Sequence, residues 1–294
     1  MNQPHSAMDT LSPIVVTGSG RSGTTWLLDI LAYDRSVRPI FEPLHFKNVP
    51  NTRHLWGLYL RADESHQELE SFLQKVFYHR ADRAWFSWMT CRVDWDTPLW
   101  KRPRAYRNGL KYWRPYAARR AIKFIKASLM LPWLQQRFPS KMIYITRHPC
   151  AVLSSRQEMG WGGNPLRFLE QQHLAEDFLD EHRPWLEQAE GSLFKKLTLV
   201  WCIENLVPQR QIHSGELDVH WTTYEDLVLK TEETLHHILE FIDFHPANRN
   251  AIVSQAIASL GAAKEERLSK WKAHLDSDQI RFIMESAERF GLKF

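Results

Sequence analysis

Short, fully apolar runs alternate along this chain with longer stretches whose apolar residues recur every three to four positions. Leu11 to Thr17 (LSPIVVT) is a β-branched run followed by glycine, which suits a strand buried on both faces. Gly18 to Gly23 is a tight glycine-serine loop, and Thr24 to Tyr33 then shows helical spacing. Strand, glycine loop and helix open a βαβ unit. Val37 to Phe41 reads as a second strand, broken by Pro43. Ala121 to Ala127 and Lys141 to Thr146 repeat the strand pattern, with a helix expected at Leu129–Phe138 between them. A helix opened by its proline follows at Pro149–Met159. Long helical segments are expected around Pro165–Glu190 and Leu193–Ile212, a last strand at Leu217–Thr223, and helices at Thr231–Phe241, Asn248–Leu260 and Asp276–Phe290.

Strands alternating with helices predict an α/β fold: a mostly parallel central sheet, P-loop-like in its opening unit, with helices on both faces. Residues 1–294 read as one domain. Periodicity fails between Phe46 and about Arg120, so an irregular insertion rich in Trp and Arg is expected at about 47–120.

Composition changes this picture in two places. Three scattered cysteines, Cys91, Cys150 and Cys202, form no CxxC pair. That pattern favours a reducing compartment without structural disulfides or zinc, and no His/Cys/Asp cluster has metal-ligand spacing. Met1 to Pro13 carries no apolar signal core and no later run approaches a membrane span, so a cytoplasmic location is expected. The net charge is only +4, yet Lys101 to Lys126 holds ten basic residues with almost no acids. Such a run is either a field for an anionic ligand or a solvated face. It matches no nucleic-acid reading module, so no nucleic-acid partner is expected.

The chemistry concentrates in two short strings. In Gly18-Ser19-Gly20-Arg21-Ser22-Gly23-Thr24-Thr25, glycines mark the turn from strand to helix, where bare N–H groups and the helix dipole make an anion site. Arg21 adds a fork of donors and Ser22, Thr24 and Thr25 add hydroxyls. Gly18 and Gly23 have nucleotidase spacing, but Thr24 stands where the P-loop lysine belongs, which argues against a kinase. In the second string, Arg147 ends a strand, Pro149 opens a helix, and Ser155 lies two turns (~5.4 Å each) along it. Arg147 and Ser155 can therefore grip one phosphate from two sides.

RSGTTW, Arg21 to Trp26, resembles the 5′-phosphosulfate loop of sulfotransferases that use 3′-phosphoadenosine 5′-phosphosulfate (PAPS). Arg147-His148-Pro149 followed by AVLSSR resembles their 3′-phosphate motif, in the version seen in carbohydrate sulfotransferases. The resemblance implies PAPS as donor, adenosine 3′,5′-bisphosphate as product, no metal, and a hydroxylated acceptor. It implies that Arg21, Ser22, Gly23, Thr24 and Thr25 hold the phosphosulfate end and Arg147 and Ser155 the 3′-phosphate, with Trp26 also among the cofactor-binding residues. Tyr224, in the YEDL string, would lie near the adenine. Lys270-Trp271-Lys272 resembles an element that closes over the 3′-phosphate.

Two positions compete for the general base. The family's KTHLP-like motif corresponds here to Lys126-Ala127-Ser128-Leu129-Met130-Leu131-Pro132, where Ser128 replaces the histidine. Lys126 is left to stabilise the bridging oxygen or the sulfuryl group. Phe41-Glu42-Pro43-Leu44-His45 resembles the segment whose glutamate faces the acceptor, making Glu42 the candidate base and His45 the fallback. For Glu42 the alternative is a salt bridge to one of the many arginines. Trp56, Trp85, Trp88, Trp95, Trp100 and Trp113, interleaved with arginines, suit a glycan acceptor or an aromatic core around the insertion. A small alcohol or phenol is the other acceptor reading.

Overall fold

A computed structural model of the chain describes residues 11–45, 49, 52–78, 114, 117–189, 191–246, 249–261 and 264–294. Among these residues five strands form one sheet: β1 (Ile14–Thr17), β2 (Val37–Phe41), β3 (Arg119–Phe124), β4 (Lys141–Thr146) and β5 (Val219–Thr223). Their order is β2-β3-β1-β4-β5, and every pairing is parallel. The chain leaves β1 toward β2 on one side and later crosses to β4 on the other. The carboxyl ends of β1 and β4 therefore flank the point where the winding reverses, the usual ligand crevice of such sheets.

The period of two in each strand divides the core. Ile14 and Val16 face α1 (Thr24–Leu31) and the later helices α7 (Thr231–Phe241) and α8 (Arg249–Leu260), through Leu27, Leu31, Leu235, Ile238 and Ile252. Val15, Ile122 and Phe124 face the other way, onto α2 (Gln67–Tyr78) and α3 (Leu131–Arg137), through Leu73, Phe77, Trp133 and Leu134. Burying each of these side chains contributes ~1.5–3 kcal/mol. A third body packs α4 (Pro149–Glu158), α5 (Leu193–His213) and α9 (Ser277–Arg289) around Val152, Trp201, Leu206, Ile283 and Ala287. The short α6 (Tyr224–Leu229) follows β5, its N-cap Thr223 accepting from the Asp226 N–H. No helix among the described residues is long and apolar enough to cross a membrane.

Three expectations need correction. The stretch read as irregular contains α2, whose buried Leu69, Leu73, Val76 and Phe77 lie at helical spacing while most of its other positions are polar. The long helical segment expected around Pro165–Glu190 is broken into short pieces: Leu166–Leu169, Gln172–Leu174, a π-helical turn Ala175–Leu179, a 3-10 turn Asp180–His182 and Arg183–Glu187. Its side chains serve the preceding loop instead: Gln171 bonds the backbone of Gly57 and Tyr59, and Asp177 takes Tyr59 and Arg61. Finally, β3 ends at Phe124 rather than Ala127, because the Ile125 N–H turns to the Glu42 carboxylate (3.2 Å).

The basic run is also divided. Lys101, Arg102, Arg104, Arg107 and Lys111 lie outside the described residues, as do Trp85, Trp88, Trp95, Trp100 and Trp113. Most of the described members serve the architecture. Arg114 donates to the carbonyls of Asp34 and Val37, Arg119 to Ser12, Arg120 to Tyr78, and Lys123 pairs with Glu42.

Candidate active site

The carboxyl ends of all five strands carry the candidate residues. After β1, Gly18 lies at φ +143°, and a Cβ there would stand 2.2 Å from the Ile145 carbonyl oxygen. No side chain fits, so the loop can leave the sheet against the backbone of β4. Gly23, at φ +91°, is the N-cap of α1 and offers no side-chain acceptor. The first N–H groups of α1 are therefore left to another acceptor. Ser19 and Ser22 tie the loop internally, Oγ to Oγ at 2.9 Å. Arg21 itself takes a left-handed backbone at φ +80°, a costly conformation for a residue with a side chain.

From β4 the second string meets the first. The Arg21 Nε–H donates to Ser155 Oγ at 2.9 Å, across 134 residues of sequence. Arg147 donates to the Arg21 carbonyl at 3.1 Å and lays its guanidinium over the Tyr224 ring, 4.4 Å from the centroid. Tyr224 in turn packs on the loop, since a Cβ on Gly23 would lie 2.4 Å from its ring. Arg21, Ser22, Gly23, Arg147, Ser155 and Tyr224 are thus one constellation. Thr24 and Thr25 open α1 beside it, and the Trp26 indole N–H donates to Ser259 on α8 at 2.8 Å.

The same patch holds buried polar atoms with no partner: Arg147 Nε, His148 Nδ1 and Glu225 Oε2. Native structures leave few such atoms, and of these the Arg147 Nε–H is a donor that, beside the Arg21 guanidinium, suits an anionic ligand. Arg21 and Arg147 make no ion pair among the described residues. Burial lowers the Arg147 guanidinium from its ordinary value, Tyr224 and the Glu225 carboxylate oppose that, and the Arg21 charge adds to it. Burial, aided by Arg147 and Lys272, likewise lowers His148. The C-terminal string lies close by. Trp271 stacks on His148 with centroids 5.0 Å apart, Lys270 reaches Glu158 at 3.4 Å, and the Arg267 carbonyl accepts from Arg147 at 3.5 Å.

On the other side of the crevice the charges are mostly neutralised. Glu42 is buried, left-handed at φ +47°, and paired to Lys123 Nζ at 3.0 Å. The alternative considered for this glutamate, a salt bridge, is thus present, with a lysine rather than an arginine. His45 stands 5.4 Å from the Trp56 ring. Lys126 is buried and lies over Trp56 at 4.3 Å, with Trp161 at 5.8 Å. Burial pushes its ammonium below the ordinary lysine range, Arg156 adds to that, and the Glu204 and Glu42 carboxylates oppose it. Ser128, in the place of the family's histidine, is buried.

Sequence reasoning passed over Arg156, Trp161 and Glu204. Arg156 stood inside the quoted AVLSSR string without a role, and its partner Glu204 lies 48 residues away. Among the described residues no group of three His, Cys, Asp or Glu side chains is placed to hold a metal ion.

No curated protein matches the sequence significantly. Among solved structures, the sulfotransferase domain from the curacin biosynthetic pathway is similar at 17% identity, covering 97% of this chain and 99% of that one, with a TM-score of 0.49. Mouse sulfotransferase SULT7A1 complexed with PAP is similar at 14% identity, covering 96% and 86%, TM-score 0.44. Retinol dehydratase in a complex with retinol and PAP is similar at 15% identity, covering 97% and 84%, TM-score 0.44. A model of the sulfotransferase family matches residues 13–246, from the strand before the glycine loop to beyond α7. The chain belongs to the sulfotransferase family.

Proposed function

We propose that this protein moves a sulfuryl group from PAPS to an acceptor hydroxyl and releases adenosine 3′,5′-bisphosphate. The observation that carries the reading is the 2.9 Å contact between Arg21 and Ser155, which joins the two phosphate strings beside an Arg147 that forms no ion pair among the described residues. PAPS would supply the sulfuryl group. The loop N–H groups and Arg21 would hold its 5′-phosphosulfate, Arg147 and Ser155 its 3′-phosphate, and Tyr224 and Trp26 would flank the adenine. Lys126, buried just after β3, would meet charge growing on the bridging oxygen. Glu42, at the carboxyl end of β2, is the proton acceptor in this reading, with His45 as the second candidate.

A glycan is the acceptor we favour over a small alcohol or phenol. Its support is Trp56, 40% exposed beside Lys126, where an indole face can stack a sugar ring. The segment at about 47–120, within one domain of 294 residues, would supply this acceptor side. Cys150 and Cys202 are free and buried, consistent with a cytoplasmic setting.

Thermal stability followed during titration with adenosine 3′,5′-bisphosphate tests the donor site. A specific binder gains about 2.7 kcal/mol at ~100-fold Kd. The expected result is a clear rise with the bisphosphate, little with ATP and magnesium, and none with Arg147→Ala. Equal rises with both nucleotides would return a kinase-like reading. An acceptor panel of oligosaccharides, steroids and phenols, with labelled PAPS, then decides between the acceptor classes.

A further inference from the structure

Behind the glycine loop lies a buried ion pair that neither phosphate string explains. Arg156 on α4 and Glu204 on α5 meet at 2.5 Å, with side chains 2% and 12% exposed. Burying two charges costs several kcal/mol each, which a hydrophobic pair would avoid. The arrangement therefore calls for a reason beyond joining two helices.

The rest of the guanidinium supplies one. Arg156 directs both Nε and Nη2 to the Gly20 carbonyl, at 3.3 and 3.2 Å. Its flat face lies over Trp161, 5.4 Å from the ring centroid. Trp161 closes on the same residue, since a Cβ on Gly20 would stand 2.8 Å from the indole. In a planar trans peptide, C=O and N–H point in opposite directions. A Gly20 carbonyl drawn inward to Arg156 therefore turns the Arg21 N–H outward. The same clamp opposes relaxation of Arg21 from φ +80°, a conformation that persists only when its surroundings hold it.

We propose that Arg156, fixed by Glu204, is a positioning residue that holds the Gly20–Arg21 peptide in its anion-receiving orientation, so that the donor's phosphosulfate end meets a preformed loop. The inference rests on the donor reading given above. It also links the two strings within one helix: Ser155 takes the Arg21 side chain while Arg156, the next residue, takes the Gly20 backbone. A lysine could supply charge but not the fork that serves one carbonyl and one carboxylate together.

The test is bisphosphate affinity by calorimetry, with steady-state kinetics, on full-length wild type, Arg156→Gln, Arg156→Lys and Glu204→Gln. Arg137→Gln is the control, since Arg137 holds Glu70 and the Glu64 carbonyl at the opposite end of the sheet. Expected are a loss of about 10²-fold in bisphosphate affinity for Arg156→Gln, an intermediate loss for Arg156→Lys, and a smaller one for Glu204→Gln. The donor KM should rise and the acceptor KM should hold. Arg137→Gln should lower Tm and leave affinity unchanged. The proposal fails if Arg156→Gln, or Glu204→Gln should Arg156→Gln not fold, lowers Tm like the control but binds the bisphosphate within threefold of wild type. If wild type itself does not bind the bisphosphate, the donor reading falls and this inference falls with it.

Discussion

The two halves of the crevice treat charge in opposite ways. On the β1–β4–β5 side, Arg21 and Arg147 converge on a serine hydroxyl, a backbone carbonyl and a tyrosine face, and neither meets a carboxylate among the described residues. On the β2–β3 side, Lys123 is matched by Glu42. Behind both, Arg156 is matched by Glu204. Lys126 stands between them, on an indole rather than a carboxylate. Around this crevice the cations matched by a carboxylate, Lys123 and Arg156, are buried in the architecture, whereas those left unmatched among the described residues are the ones that meet an anionic ligand in the proposed function. Arg21, Arg147 and Lys126, which form no ion pair among the described residues, mark the candidate site better than the number of basic residues in a run does.

Glu42 is where that rule is most exposed to failure, because the reading gives a paired group a chemical task. Glu42→Gln should lower kcat by about 10²–10⁴-fold if the carboxylate takes the acceptor proton. It also strands a buried Lys123, at about 3–5 kcal/mol of stability. Glu42→Gln combined with Lys123→Met separates the two effects: stability should return while activity does not. Recovery of activity together with stability would make Glu42 architectural and pass the base to His45, which His45→Asn then tests.

The unpaired side makes the sharper claim. Arg147→Ala should weaken bisphosphate binding about 10²–10³-fold, the loss expected when one partner of a charged contact is truncated. Calorimetry reads it directly. Arg147→Lys should recover only part, since an ammonium cannot bond the Arg21 carbonyl and the phosphate with one planar fork. A loss confined to Tm, with affinity intact, would erase the distinction between paired and unpaired cations.

Lys126 tests the rule at the boundary. Lys126→Met should lower kcat about 10²-fold while leaving bisphosphate affinity nearly unchanged. The sign of its pH dependence follows from burial. A lowered lysine loses its charge at a lower pH than an ordinary one, so the alkaline fall in kcat should begin below the usual lysine range. Glu204 opposes the lowering, so Glu204→Gln should move that fall further toward neutral pH. A pH–kcat profile on both proteins checks the direction, and an unmoved alkaline limb would exclude Lys126 from the transfer.

What could be read in advance divides along the same line. The strands Val37–Phe41 and Lys141–Thr146 and the helix Thr231–Phe241 have the boundaries their patterns predict, because each is short and set by local periodicity. Arg21, Gly23, Arg147 and Ser155 could be nominated in advance because each lies within a short contiguous string, and the structure brings the two strings together. Arg156 was written beside Ser155 but unreadable, since its meaning depends on Glu204 and on a carbonyl 136 residues earlier. The left-handed turn at Glu42 and its lysine partner come from where β3 lies, which no local pattern encodes. The helix α2 was missed for a different reason: four buried positions among mostly polar ones give weak contrast beside a run of tryptophans.

The smallest effect probes how far the donor side extends. Ser259 lies beyond the stretch matched to the family, yet it accepts the Trp26 indole N–H at 2.8 Å and donates its own hydroxyl to the Ala256 carbonyl. Trp26 packs with Tyr224 and Leu260 where the adenine is placed in this reading. Ser259→Ala removes one hydrogen bond, worth about 0.5–1.5 kcal/mol, and should weaken bisphosphate binding roughly 3- to 10-fold with little change in Tm. Phosphate alone should bind the variant and the wild type equally, because the phosphate strings are untouched. Equal binding of the bisphosphate as well would mean that Trp26 is held by packing alone. The donor site would then end at Tyr224, with α8 serving only as its wall.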